Sequence, residues 1–206
     1  MIAEKYMTNP DLDESCGRYF RFRQFFECSE TWELTSATDP FDNVPLQLAT
    51  FDAIRVLCRK VLDPLYDHVS TLSGFSELKL TYAFASAELV RRVRARNTYP
   101  NITPHSDQHA GCEFNRNGQP ICERFGQAVD LICPGISSAL VAAWASQNTQ
   151  FDRLYFYDET RPFHISAGPG NARQIIVMRR RKTNPALLFP QKVDPSYFEG
   201  LVAPQA

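Results

Sequence analysis

The chain has 206 residues, 44% of them hydrophobic and 22% charged, with 22 Lys and Arg against 23 Asp and Glu. That mix gives one domain, or two small ones, with room for a sizeable core, and it excludes a disordered, collagen-like or coiled-coil chain. A formal net charge of −1 exerts no global pull towards nucleic acid or a membrane surface, so either role needs a local patch.

Residues 1–18 read as a polar lead-in. Met1 to Asp11 carries Glu4, Lys5 and Asp11 and has neither the basic start nor the apolar run of a signal peptide. No stretch approaches the roughly 18 consecutive apolar residues of a membrane span. Cys16, Cys28, Cys58, Cys112, Cys122 and Cys133 are scattered through a chain too long to be a disulfide miniprotein. The expectation is reduced thiols, a cytoplasmic location and no membrane partner.

Gly17–Phe26 interleaves Arg18, Arg21 and Arg23 with Tyr19, Phe20, Phe22, Phe25 and Phe26. Such a run can stack on bases; the plainer expectation is rings in the core and arginines in water. Thr35–Pro45 reads as a loop. Leu48, Phe51, Ile54, Cys58, Val61 and Leu65 then recur at steps of three and four, one buried helical stripe. His68 follows as a satisfied residue at the helix end. Glu77–Phe84 alternates as a strand, and Ser86 N-caps a helix bearing Leu89, Val90 and Val93. Arg91, Arg92, Arg94 and Arg96 decorate that helix as a solvated face; a nucleic-acid contact there would show steep salt dependence.

Thr98–Phe125 is long and irregular, a length that marks functional or unstructured loops. Gln127–Ile132, Arg153–Tyr157, Phe163–Ser166 and Gln174–Arg179 read as strands, with a helix marked by Ile136, Leu140, Val141 and Trp144 and a turn at Gly168–Gly170. Beyond Lys182 the chain reads as a proline-spaced tail that wraps the domain or dangles. Helices come first, strands mixed with helices follow, and there is no βαβ alternation or phosphate-loop motif. The expected fold is a single α+β domain over residues 19–182, its sheet mainly antiparallel and flanked by helices.

Two strand residues carry chemistry. Asp130 is an acid inside an apolar strand, where an unpaired carboxylate costs several kcal/mol and so calls for a partner or a metal. His164 sits in another apolar strand, and the two could share a metal or catalytic site. In the loop, His105, His109, Cys112 and Cys122 are all competent soft-metal ligands. They could clamp a structural zinc, or lie in a surface loop with the two cysteines free or paired across an Asn117-Gly118 turn.

Gly126-Gln127-Ala128-Val129-Asp130 matches half of the SxHxxGxAxD segment of the D-Ala-D-Ala carboxypeptidase and hedgehog-type zinc peptidases. Phe163-His164-Ile165-Ser166 matches the family's last His in its strand. Ser106-Asp107-Gln108-His109-Ala110-Gly111 looks like the displaced SxHxxG half, with Cys112–Phe125 inserted. Over roughly residues 20–180 the chain therefore resembles that family. The resemblance implies a zinc-dependent hydrolase of a peptide or amide bond, with His109, Asp130 and His164 as metal ligands and one position open for water. Where the family has a first His, seven residues before Asp130, this chain has Glu123. Where it has the Glu of ExxH, it has Arg161, with Asp158 and Glu159 nearby. Ala85 replaces the turn arginine. Glu159 or Glu123 is then the general base, and Arg161 is the third candidate catalytic residue. The other reading is a peptidase-like fold kept as a binding module for an anionic ligand or protein partner, which Arg161 favours.

Overall fold

The computed structural model describes residues 10–27, 42–96, 108–181, 183, 184 and 187–202. Six strands form one sheet in the order β1-β2-β4-β3-β5-β6. They are β1 (Lys79–Tyr82), β2 (Gln127–Ile132), β3 (Arg153–Phe156), β4 (Phe163–Ala167), β5 (Gln174–Arg180) and β6 (Leu188–Val193). All neighbouring pairs are antiparallel except β3 with β5, which run parallel. The fold is thus α+β with a mixed sheet.

Alternation sends Val129 and Leu131 of β2, Phe163 and Ile165 of β4, Leu154 and Phe156 of β3, and Ile175 and Val177 of β5 into a single core. Helices cover that face. The expected stripe at 48–65 forms α2 (Leu48–Leu57), a π-helical turn (Cys58–Leu62) and α3 (Asp63–Val69). Pro64 explains the π turn. Proline has no N–H and its ring crowds the carbonyl four residues back. That carbonyl, of Lys60, accepts instead from the Gln150 N–H at 3.2 Å, so no buried acceptor is orphaned. Helix α5 (Ser138–Asn148) is capped by Ser137, whose Oγ accepts the Ala139 N–H.

The aromatic-arginine segment behaves as an amphipathic one. Phe22, Phe25 and Phe26 of α1 (Phe22–Phe26) are buried, with Phe51 and Phe84 set edge-to-face against Phe26, both at 5.6 Å. Arg23 lies outside, paired with Asp13 and Glu27. Ser86 caps α4 (Ala87–Arg96), its Oγ accepting the Leu89 N–H at 3.2 Å. Arg91 and Arg92 both bind Glu88, which they hold down to about pKa 2. Arg91 is solvated as expected, Arg92 is mostly covered, and the side chains of Arg94 and Arg96 lie outside the described residues. His68 lies flat on Trp144 at 4.4 Å.

Residues on both sides of the 19–182 stretch pack onto the same core. In the lead-in, Cys16 is buried against Cys58, and the carboxylate of Asp63 accepts the Arg18 N–H. Of the two expectations for the stretch beyond Lys182, its described residues follow the first and wrap the domain. They pair β6 along β5, and then Phe198 enters the core from the turn Pro195–Phe198 that leads into α6 (Glu199–Val202).

Glu113 joins the loop region to the helical layer. Its buried carboxylate accepts the Leu46 and Gln47 N–H groups at 3.1 and 3.0 Å and the Thr50 hydroxyl at 2.8 Å. A carboxylate from 66 residues away thereby caps α2, where the helix dipole favours negative charge. Glu113→Ala orphans these donors, and we expect a loss of about 1–3 kcal/mol in urea denaturation.

Candidate metal centre

The face of the sheet opposite the core carries one polar row. The register sets Tyr82 against Asp130, Asp130 against His164 and His164 against Tyr155. Directly opposed residues share a face, so all four side chains stand together. The even positions of β2 and β4 point away from the core because their odd neighbours Val129, Leu131, Phe163 and Ile165 fill it.

His109 reaches this row from a single 3-10 turn, Gln108–Ala110. Contacts of its own and of its neighbour Gln108 fix it. Its carbonyl accepts the Ala85 N–H at 2.9 Å, and its Nδ1 lies 2.7 Å from the Ala83 carbonyl. Its ring packs on Tyr82 at 4.6 Å between centroids. Next to it, the buried Gln108 donates through Nε2 to the Phe125 carbonyl at 2.8 Å and to Asp152 Oδ2 at 2.9 Å. Asp152 Oδ1 in turn accepts the Ala172 N–H at 2.8 Å. The turn that carries His109 is thereby tied to the start of β3 and the approach to β5.

Three ligand atoms converge. His109 Nε2 is 3.3 Å from Asp130 Oδ1 and 3.1 Å from His164 Nδ1, and His164 Nδ1 is 3.0 Å from Asp130 Oδ1. Tetrahedral zinc with bonds of about 2.0–2.1 Å places its ligands roughly 3.3–3.4 Å apart, so the triangle is within a few tenths of an ångström of that shape. The tautomer also fits. A carbonyl only accepts, so Nδ1 of His109 carries the proton and Nε2 offers its lone pair to the triangle, the arrangement of a metal-binding histidine held by an outer partner. Without metal, the Nδ1 proton of His164 bridges two acceptors, Asp130 and His109. A metal ion bound there would coordinate His164 Nδ1 once that proton had moved to Nε2, which keeps the ring neutral.

The electrostatics agree with this donor set. Burial pushes the Asp130 carboxyl up, but the adjoining imidazoles of His109 and His164 outweigh it and hold the group below the usual carboxylate range. Burial lowers His164, against the pull of Asp130, so the ring is neutral at pH 7 as metal ligation requires. The histidine side chains are enclosed, whereas that of Asp130 is 23% exposed, which leaves the triangle open to solvent on the Asp130 side.

Comparisons of the chain with family models, with curated proteins and with solved structures found no match. The arrangement therefore rests on its own geometry: a buried His109-Asp130-His164 group that can hold a metal ion.

Among the described residues, neither Glu159 nor Glu123 belongs to this ligand triangle, and Arg161 carries no ligand atom for it. Glu159 and Arg161 are exposed on the loop from β3 to β4, which Ser138 pins from the start of α5. Its N–H donates to the Glu159 carbonyl at 2.8 Å and its Oγ to the Arg161 carbonyl at 2.7 Å. The Arg161 guanidinium lies over the Tyr157 ring at 4.8 Å. Glu123 is exposed in the turn before β2. Of the four loop residues that could clamp zinc, His105 lies outside the described residues. Cys112 and Cys122 are free thiols on either side of the Asn117-Gly118 turn. Among the described residues they are not part of the group that could hold a metal.

Sequence reading missed Gln108, Asp152, Tyr82 and Tyr155. Tyr155 was within reach, because in Arg153-Leu154-Tyr155-Phe156 it alternates with the core residues Leu154 and Phe156 and so shares the His164 face. Its ring meets His164 edge-on at 5.0 Å, and its hydroxyl accepts from Arg153 Nη1 at 3.0 Å.

Proposed function

We propose that this chain is a zinc-dependent hydrolase of a peptide or amide bond, resembling the D-Ala-D-Ala carboxypeptidases. The observation that carries the reading is the convergence of His109, Asp130 and His164. Two imidazoles and one carboxylate, in an order along the chain that matches the family's motif, leave a side open beside Asp130. Zinc bound there supplies Lewis acidity and lowers the pKa of a coordinated water to about 7.

This chain's own residues do the rest. Gln108 and the Ala83 carbonyl fix the His109 ring, and Asp130 balances the charge. Tyr155 and Tyr82 wall the site against water from either side of the row. Glu159, on the loop that enters β4 just before His164, takes the proton of the attacking water as general base. Glu123 is the alternative donor of that carboxylate. The substrate is a small peptide-like or amide molecule.

Hydrolysis of a panel of dipeptides by zinc-loaded protein tests this. Glu159→Gln should lower the rate by about a hundredfold or more, as loss of a general base does, while zinc content stays unchanged. A comparable loss in Glu123→Gln alone assigns the base there. No turnover of any dipeptide by the loaded protein refutes the hydrolase. A second reading, an inactive peptidase-like fold that binds an anionic ligand or a protein, is favoured by Arg161, a cation where the family's pattern has a catalytic acid.

A further inference from the structure

Where β3 and β5 end and β6 begins, a cleft of about 290 Å³ opens, and three arginines line it: Arg161, Arg179 and Arg180. Two of them are held on aromatic platforms. The Arg161 guanidinium lies over Tyr157 at 4.8 Å, and that of Arg179 over Tyr197 at 5.3 Å. Arg179 Nε also donates to Gln191 Oε1 at 2.7 Å. Neither Arg161 nor Arg179 has an ion pair among the described residues. The cleft's carboxylate, Asp158, is engaged within its own turn, its Oδ1 accepting both the N–H and the hydroxyl of Thr160 at 3.0 Å.

A merely solvated run of arginines extends into water. Here two guanidiniums from separate segments are laid on tyrosine rings and line one volume. A stacked guanidinium keeps its in-plane N–H donors available for an oxygen anion. Tyr157 also lines the cleft, and its hydroxyl stays protonated at neutral pH, since burial first, and then the field of Asp130, push it up to about 12. Tyr157 thus also stands within the field of the metal centre.

We infer that this cleft is an anion-binding site that takes a carboxylate or phosphate group between Arg161 and Arg179. The site does not require the metal, and it holds on either reading of the function.

Isothermal titration of the full chain at low salt, with inorganic phosphate and separately with glutarate, tests it. The His109→Ala variant is titrated alongside, to separate the cleft from the metal centre. At least one probe should bind saturably, equally in the wild type and in His109→Ala, and more weakly as salt is added. R161Q and R179Q should each weaken it about tenfold or more, the scale of a charge-assisted contact. Both side chains are exposed, so the melting midpoint should stay within about 2 °C. Phosphate alone, glutarate alone, or both then identifies the chemistry of the natural ligand. Three results overturn the proposal: no saturable binding of either probe below about 10 mM, binding untouched in the R161Q/R179Q chain, or binding lost in His109→Ala but kept in R161Q/R179Q. The first is read on the wild type, so it stands even where a variant fails to fold.

Discussion

Replacing Gly126 by alanine will lower the melting midpoint by roughly 10 °C, equivalent to about 3 kcal/mol or more. Gly126 has φ +87, in the region that suits glycine. An alanine there carries about 1–3 kcal/mol of backbone strain on its own. Its Cβ would also collide with the Ala167 carbonyl and come within 2.6 Å of the Gly168 Cα. Those are backbone atoms and have no rotamer to yield. Gly126 directly precedes Gln127, which pairs with Ala167, the last residue of β4. Relief of the clash therefore means prising β2 from β4 at the end of the ladder that sets Asp130 beside His164. Thermal denaturation checks this. An unchanged midpoint would mean that the two strands are not in this register.

The second large effect is on metal affinity. Asp130→Asn keeps the shape of the side chain and removes the anionic ligand. Loss of an outer partner of a metal site typically costs 10–100-fold in affinity, so loss of this inner ligand should weaken zinc by more than about a hundredfold in a competition titration against a chelator. A second signature follows from the pKa direction. Asp130 in the folded chain titrates below the usual carboxylate range because of His109 and His164. A depressed folded pKa contributes stability above the unfolded value, and that stability is lost as pH falls through the folded one. In metal-free protein, Asp130→Asn should therefore lose less stability on acidification than the wild type. A variant that binds zinc normally, or that shows unaltered acid sensitivity, contradicts the geometry.

How far the sequence announced this arrangement differs from element to element. Gln127–Ile132 and Phe163–Ala167 are legible because core residues alternate with the others, and for the same reason Asp130 and His164 are conspicuous: each interrupts an apolar strand. Strand β6 is not legible. Leu188-Phe189-Pro190-Gln191-Lys192-Val193 contains a proline and little alternation, both tolerated on an edge strand, and only its pairing with β5 reveals it. By residue type alone His109 is one of four loop ligands, and only the likeness of Ser106–Gly111 to the SxHxxG half sets it beside Asp130 and His164. The contacts of its turn with Ala83, Ala85 and Tyr82, which put it there in space, are encoded by no local pattern. Gln108 and Glu113 are hidden for a related reason, since their partners lie 44 and 66 residues away. Glu159, Arg161 and Glu123 were named from their spacing to a motif, and spacing within a loop does not fix where a side chain points.

The central claim is that three residues distant in sequence make one metal centre. Elemental mass spectrometry tests it most directly, on protein purified without chelator and on its His164→Ala variant. The account predicts about one zinc per chain in the wild type and none in the variant. Zinc retained in His164→Ala would place the metal elsewhere, and no metal in either protein would leave the His109-Asp130-His164 triangle a hydrogen-bonded cluster and nothing more.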